Sequence, residues 1–235
     1  MAKLVGLSRN IKLQWLNKTV QLLDENLSET EFKNALNEYL SYEIKSETNL
    51  RKTREILMRI WFYSDPDVDE YRKAGRALIA KYPDESMCVH WCMMLLVYPV
   101  FADLSKFIGR IAELQDTVVL AQLKKKLFDE WGERTTLFHS IDKIVSTMKE
   151  LDALRCEKVG KYIVPKHTIE KDELISYLIW CVLKVDGNSY YSFVDLNAFN
   201  MLFPFEYAVG KEQLMLDDRF SVTPFDGQLT VALKD

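Results

Sequence analysis

The chain has 235 residues, of which 48% are hydrophobic and 28% are charged, and it contains only eight glycines and six prolines. This composition is typical of a soluble globular protein and argues against long disordered linkers, which are poor in apolar residues. The net charge of −4 and the pI of about 5.6 argue against a wholly basic nucleic-acid binder of the histone type.

Apolar residues at three- and four-residue spacing predict about six helices in the first 115 residues. The predicted segments are residues 8–27 with Ser8 as N-cap, a helix that starts at the capping box Ser28–Glu31, residues 46–63 with Thr48 or Asn49 as N-cap, residues 69–81, residues 87–98 and residues 102–114. Because their connections are short, we expect a compact helical bundle over residues 1–115.

The most apolar stretch runs from Met87 to Phe101 and contains His90 and Pro99. A helix needs about 20 apolar residues to cross a bilayer, and this stretch is shorter. We therefore expect a buried central helix that ends or kinks at Pro99, and no membrane partner.

The middle of the chain, residues 118–165, has the pattern of a helix, a tight turn, a second helix and a two-stranded hairpin. The apolar spacing predicts the first helix over residues 118–131, and Gly132 ends it because glycine adopts the left-handed cap conformation without penalty. Thr135 or Thr136 is expected to cap the second helix through its hydroxyl.

The hairpin follows the second helix directly. Residues 154–158 and 161–164 have strand-like composition, and Gly160 supplies the turn between them. This order of elements is the layout of a winged helix-turn-helix, a module most often used to hold duplex DNA. We assign residues 116–167 to it.

Charge supports this interpretation. Residues 117–167 contain ten Lys or Arg and seven Asp or Glu, a net charge of +3, so the remainder of the chain carries −7. A locally basic surface attracts DNA because the release of counterions provides most of the non-specific affinity. Winged helices also serve as protein-binding modules, so a structural or protein-binding role for this segment stays open.

Polar side chains of this module are suited to base edges and phosphates. The residues expected to face the major groove are Thr135, Thr136, His139, Ser140, Lys143 and Thr147. Those expected to hold backbone phosphate are Lys124, Lys125, Lys126 and Arg134. Lys158 and Lys161, near the hairpin tip, are expected to reach phosphate or the minor groove.

A second basic face is predicted on the helix at residues 46–63, formed by Arg51, Lys52, Arg54 and Arg59. Two interpretations stay open for it, a solvated helix face or a second patch that contacts DNA.

Residues 168–235 are expected to form helices followed by a small antiparallel sheet. The predicted elements are a helix at 171–185, a helical aromatic segment at 190–203, and strands at 206–209, 213–216, 219–223 and 229–233. Asp226–Gly227 is a hairpin turn signal. We expect this sheet to pair with the central hairpin or to pack beside it. The predicted fold class is therefore mainly α, with an N-terminal helical bundle, a central winged helix-turn-helix and a small α+β C-terminal portion.

Residue types that carry catalysis are present without the required spacing. On a helix His90 points about 200° away from Cys88, and no second ligand pair completes a metal site with Cys92. The chain has no Gly-rich phosphate loop and no nucleophile motif around its three histidines. The four cysteines and the absence of a secretory signal at the start indicate reduced thiols in a bacterial-type cytoplasm. The sequence predicts a protein that is not an enzyme and needs no metal or cofactor.

Four segments together resemble the BrxA family of small BREX phage-defence proteins. They are LLDENLSETEFKNAL, SETNLRKTREILMRIW, CVHWCMMLLVYPVFADL and WGERTTLFHSIDKIVSTMKELDAL. The resemblance covers about residues 16–165 and implies a cytoplasmic, non-catalytic, mostly helical protein that binds double-stranded DNA and serves a multi-gene defence system. The family has also been described as an inner-membrane protein, against which the shortness of the apolar run at 87–98 argues here.

The leading hypothesis is a DNA-binding accessory protein of such a system. The first alternative is a scaffold that docks other BREX subunits, with Tyr190, Tyr191 and Phe205 as aromatic anchors. The second is a transcriptional regulator with a ligand pocket in the helical bundle, which would require a palindromic operator and a stable dimer.

Overall fold

The computed structural model describes residues 6–225 and 227–234, and these are mainly helical with short strands in the second half. The α-helices are α1 (Leu13–Leu23), α2 (Glu29–Ser41), α3 (Glu47–Trp61), α4 (Asp69–Lys81), α5 (Ser86–Val97), α6 (Pro99–Ala112), α7 (Leu120–Trp131), α8 (Thr135–Glu150), α9 (Asp172–Asp186), α10 (Phe193–Leu196) and α11 (Lys211–Met215). The strands are β1 (Val118–Val119), β2 (Arg155–Lys158), β3 (Lys161–Ile163), β4 (His167–Thr168), β5 (Tyr191–Ser192), β6 (Phe205–Glu206), β7 (Phe220–Phe225) and β8 (Gln228–Leu233).

Among the helix starts in the N-terminal half, those of α2 and α4 agree with the sequence, whereas those of α1 and α3 differ. The capping box of α2 is present, because Ser28 and Glu31 bond to each other's backbone amides. The cap of α3 is Ser46, whose hydroxyl accepts from the Asn49 amide, and the prediction of Thr48 or Asn49 is wrong. α1 begins at Leu13 rather than near Ser8, because the Ile11 amide donates to the Thr147 side chain of α8 instead of joining the helix.

α5 is the centre of the helical core, as predicted. No residue of Ser86–Val97 is exposed, and the helix packs against α1, α3, α4, α6 and α9. The Trp91 ring contacts Phe101, Phe203 and Phe205 with centroid distances of 4.8, 5.3 and 5.9 Å. One residue therefore joins the helical half of the chain to its C-terminal part.

The break at Pro99 is sharp. α5 ends at Val97, and Pro99 becomes the first residue of α6, a position where a missing amide costs nothing. Within the described residues no single helix is long and apolar enough to cross a membrane; the segments 83–97 and 99–112 reach that length only jointly and are bent by 117°.

The middle of the chain forms a helix-strand-helix-helix-hairpin unit. Val118 and Val119 were predicted as the start of a helix, and this is wrong, because they pair with Tyr162 and Lys161 of β3. The resulting antiparallel sheet has the order β1-β3-β2. The hairpin between β2 and β3 is present where predicted, with Gly160 in its turn at a φ of +76°.

The C-terminal part differs most from the predictions. Residues 190–203 are not one helix, because the Ser192–Asp195 capping box starts the four-residue α10 directly after β5. Residues 213–216 are not a strand but lie largely in α11, where Gln213 hydrogen-bonds to the hydroxyl of Ser176 on α9.

Two further small sheets are present among the described strands of this part. β4 pairs with β6 in parallel, and β5, β8 and β7 form an antiparallel sheet in that order. Neither sheet pairs with the central hairpin. The predicted turn at Asp226–Gly227 includes Asp226, which lies outside the described residues, and Gly227 has a φ of +75°.

α6 is fixed to the C-terminal part by a close backbone contact. A Cβ atom at Gly109 would lie 2.2 Å from the carbonyl oxygen of Asn200, so only glycine permits this approach. Asn200 begins a 3-10 turn (200–202) that packs along α6.

Candidate nucleic-acid interface

α8 has one buried and one exposed face. Its buried face consists of Leu137, Ile141, Ile144, Val145 and Met148. Thr135, Thr136, His139 and Lys143 are exposed, as predicted for residues that meet a ligand. The hydroxyls of the two threonines make no cap bond, because the N-cap is Arg134, and the prediction of a threonine cap is wrong.

Two predicted base-facing residues are buried. Ser140 is 3% exposed and Thr147 is fully buried. The Thr147 hydroxyl accepts a 2.9 Å hydrogen bond from the Ile11 amide and donates a 3.0 Å bond to the Lys143 carbonyl. The prediction that these residues contact DNA is therefore wrong, because the segment before α1 covers the Thr147 edge of α8.

One of the α7 lysines predicted to hold phosphate, Lys124, is occupied by contacts within the protein. The Lys124 ammonium lies 2.7 Å from the Asp142 carboxylate of α8 and 3.6 Å from the centroid of the Phe138 ring. Its side chain is only 16% exposed, so its charge is used to hold α7 against α8. The sequence contains a signal for this, since Lys124 lies four residues after Leu120 and three before Leu127, on the apolar stripe of the helix.

The remaining basic side chains of α7 and the following turn differ in exposure and in hydrogen bonding. Lys125 and Lys126 are exposed. Arg134 is half-buried, and its Nη2 donates a 2.9 Å bond to the Trp131 carbonyl. Part of this guanidinium therefore serves the turn between the helices, while the two lysines face solvent.

The hairpin tip presents two facing lysines. Lys158 and Lys161 are partners in the β2–β3 register and both are exposed, with Val159 fully exposed between them. The Leu120 amide donates a 2.9 Å bond to the Gly160 carbonyl. The tip is thus fastened to the start of α7 and has a fixed position relative to α7 and α8.

Acidic groups lie close to this surface. Glu133 and Glu157 are exposed next to Arg134 and Lys158 in the sequence. At the base of the hairpin the Arg155 guanidinium donates two hydrogen bonds to the Asp152 carboxylate, from Nε at 2.8 Å and from Nη2 at 2.7 Å. This bidentate contact lowers the pKa of the Asp152 carboxyl. The surface is therefore mixed in charge, and Lys125, Lys126, Lys143 and the two hairpin-tip lysines form no ion pair with any residue that the structure describes.

Phe138 is a surface feature that sequence reasoning missed. The ring is 42% exposed and stacks on Phe128 of α7 with centroids 6.2 Å apart. The apolar spacing of α8 places Leu137, and not Phe138, on the buried face, so an aromatic residue outside that spacing was the available signal.

Comparisons of this chain with protein-family models, with curated proteins and with solved structures found no match.

Proposed function

We propose that the unit from α6 to β3 is a winged helix-turn-helix, and that the protein holds duplex DNA through α8 and the β2–β3 hairpin. The observation that carries this proposal is the pairing of β1 with β3 around a helix pair. In that arrangement the basic hairpin tip is hydrogen-bonded to the start of α7, and α7 packs against α8. In helix-turn-helix proteins the second helix enters the major groove.

The exposed side chains take distinct roles in this proposal. Thr135, Thr136 and His139 offer hydrogen-bonding groups to base edges, while Lys143 reaches a base or a phosphate. Lys125 and Lys126 hold backbone phosphate, and Lys158 and Lys161 hold the backbone next to the site of α8.

The biological setting of the proposal is a BREX-type phage-defence system, in which the protein acts as a non-catalytic DNA-binding accessory subunit. Its support is the similarity of residues 16–165 to the BrxA family. Other subunits of the system are the expected protein partners.

The test uses neutral substitutions of the unpaired cations. We expect the triple variant Lys143→Gln, Lys158→Gln and Lys161→Gln to bind a duplex of about 30 base pairs about 10- to 100-fold more weakly at about 100 mM salt. Each lost phosphate contact lowers the slope of log affinity against log salt by about 0.9, so the slope falls by about 2.7. Fluorescence anisotropy over a salt series measures both.

A matched control removes the same charge elsewhere. Lys171, Lys211 and Lys234 are exposed in the C-terminal part, and their triple replacement by glutamine changes the net charge equally. The control is expected to bind within about twofold of the wild type. Equal weakening in both triple variants, or in neither, would reject this surface.

A second candidate function is a docking scaffold. Of the predicted anchors, Tyr191 and Phe205 are buried at 4% and 5% exposure, so they cannot serve. Tyr190 is 59% exposed and lies 5.5 Å, centroid to centroid, from the equally exposed Phe225. Exposed aromatic pairs are typical anchors of protein interfaces. Loss of co-purification with defence-system subunits on Tyr190→Ala and Phe225→Ala would favour this function.

A further inference from the structure

A second basic surface lies on α3. Arg51, Lys52 and Arg59 are exposed on this helix. Lys52 and Arg59 are seven residues apart and lie on nearly the same face, whereas Arg51 and Arg59 are about 80° apart around the helix and about 12 Å apart along its axis. Across the residues that the structure describes, none of the three forms an ion pair with an acid.

These cations border a groove of about 580 Å3 between α3 and residues 6–8, which we call the α3 groove. Its other lining residues include Arg54, Glu55 and Tyr98. Arg54 and Glu55 neutralise each other through a 2.6 Å ion pair. Burial alone would raise the pKa of the Glu55 carboxyl, but hydrogen bonds from Tyr63 and Arg54 outweigh it and the pKa is lowered. Three positive charges therefore remain uncompensated in the groove.

The α3 groove is connected to α8 by the segment before α1. The Ile11 amide is bonded to Thr147 of α8, as described above, and two residues earlier Arg9 donates a 3.1 Å bond to the Asn49 side chain at the start of α3. Arg9 and Ile11, two residues apart, thus contact the start of α3 and the C-terminal half of α8 respectively.

We propose that the α3 groove holds the phosphodiester backbone of the same duplex that α8 contacts, and so extends the DNA footprint beyond the winged unit. This inference rests on the proposed function. Guanidinium groups favour phosphate because their planar donors match its oxygens. Phosphates of one DNA strand advance about 3.4 Å each along the axis, so the spacing of Arg51 and Arg59 covers three to four of them.

The lining of the α3 groove favours a polyanion over an apolar peptide. Among the described lining residues Ile56 is the one aliphatic hydrophobic residue, and its side chain is only 5% exposed. Hydrophobic contact is thus scarce, while charge is abundant. Three cations spread over about 12 Å of the helix axis also fit a repeated anion better than a single phosphate ion.

The experiment compares three full-length variants on one duplex of about 30 base pairs. The α3 variant carries Arg51→Gln, Lys52→Gln and Arg59→Gln, the second is the α8–hairpin triple variant, and the third is the C-terminal control. We expect the α3 variant to bind about 10-fold or more weakly at about 100 mM salt and to lower the salt slope by two to three. The control is expected to stay within about twofold of the wild type.

A charge-preserving variant separates charge from folding. Arg51→Lys with Arg59→Lys keeps the positive charges but loses the planar donors, so it is expected to retain the wild-type salt slope while binding a few-fold more weakly. Thermal unfolding of each variant is expected to match the wild type, because all three side chains are exposed.

The outcomes are distinct. If the α3 variant binds like the wild type while the α8–hairpin variant is weakened, the α3 groove has no part in DNA binding and only this inference is overturned. If the α8–hairpin variant binds normally, the proposed function fails, and the idea of one continuous footprint fails with it. Weakening of both, with the control unchanged, supports both.

Discussion

α5 and α8 are two helices of similar length with opposite surroundings. α5 has no exposed residue, and apart from Ser86 and His90 its residues are apolar around the whole circumference. α8 buries one face and turns Thr135, Thr136, His139 and Lys143 to solvent. Packing in the core accounts for the residues of α5. It does not account for the polar residues on the exposed face of α8. The exposed face of α8 is therefore the better place to look for a functional surface.

The largest effect is expected at the centre of α5. Trp91 is fully buried, and its Nε1 donates a 2.9 Å bond to the Met201 carbonyl. Trp91→Ala should lower the free energy of unfolding by about 3–5 kcal/mol, because it leaves a cavity and an unpaired carbonyl. Urea denaturation measures the change.

The control for this substitution is Tyr190→Ala, which removes an exposed aromatic ring and is expected to change stability by less than about 0.5 kcal/mol. Similar losses in both variants would contradict the difference between enclosed and exposed positions.

The second effect is a dependence of stability on pH. His90 is fully buried between Trp61, which donates to its Nδ1, and Asn17, which accepts from its Nε2. Burial lowers its pKa to about 3 in the folded state, whereas an unfolded histidine has a pKa of about 6.5. The unfolded chain thus gains a proton that the folded chain lacks, and stability falls by about 1.4 kcal/mol per unit as pH drops from 6.5 towards 3.

Unfolding curves of the wild type, His90→Gln and His139→Gln at several pH values test this. The His90 variant is expected to be less stable at pH 7 but to have a shallower pH slope. The His139 variant, which changes an exposed residue of α8, should keep the wild-type slope. Equal slopes in all three proteins would mean that His90 does not control the acid response.

A smaller loss of stability is expected at the covered edge of α8. Thr147→Val keeps the shape but leaves the Ile11 amide without its acceptor, at a cost of about 1–3 kcal/mol. Thr136→Val, on the exposed face, should cost less than about 0.5 kcal/mol. Denaturant titration of the pair measures the difference, and an unaltered Thr147→Val protein would show that the bond contributes nothing.

The smallest effect is expected at Lys124. Its ion pair with Asp142 is partly exposed, so Lys124→Gln should lower the free energy of unfolding by about 1 kcal/mol or less. DNA affinity should change by less than about twofold when Lys124→Gln is combined with Asp142→Asn, because the double variant removes a neutral ion pair and leaves the net charge unchanged. The neighbouring Lys125→Gln should do the reverse, with unchanged stability and weaker DNA binding. An opposite ranking would place Lys124 in the interface.

The sequence predicted features that depend on nearby residues. Helix α4 and the capping box at Ser28 follow from spacing and cap chemistry within a few residues. The two-residue strand β1 was missed because its partner β3 lies more than 40 residues further on. Thr147 was misassigned for the same reason, since the segment that covers it is 136 residues away along the chain.

For the candidate interface, the sequence likewise predicted the features set by nearby residues and missed those set by distant contacts. The exposure of Lys143, Lys158 and Lys161 follows from local periodicity and from the hairpin turn. The neutralisation of Lys124 depends on Asp142 of the neighbouring helix, and the connection between α8 and α3 depends on Arg9 and Ile11. Contacts between distant segments decide which polar side chains remain available to a ligand.

The bare Cα of Gly109 has a mechanical consequence. The Asn200 backbone packs directly on α6, and α6 is followed within a few residues by β1. The C-terminal segment and the hairpin sheet are therefore both attached to α6. A methyl group at this position would force the Asn200 backbone away from α6, so this one missing carbon keeps the C-terminal segment seated on the helix that precedes the hairpin sheet.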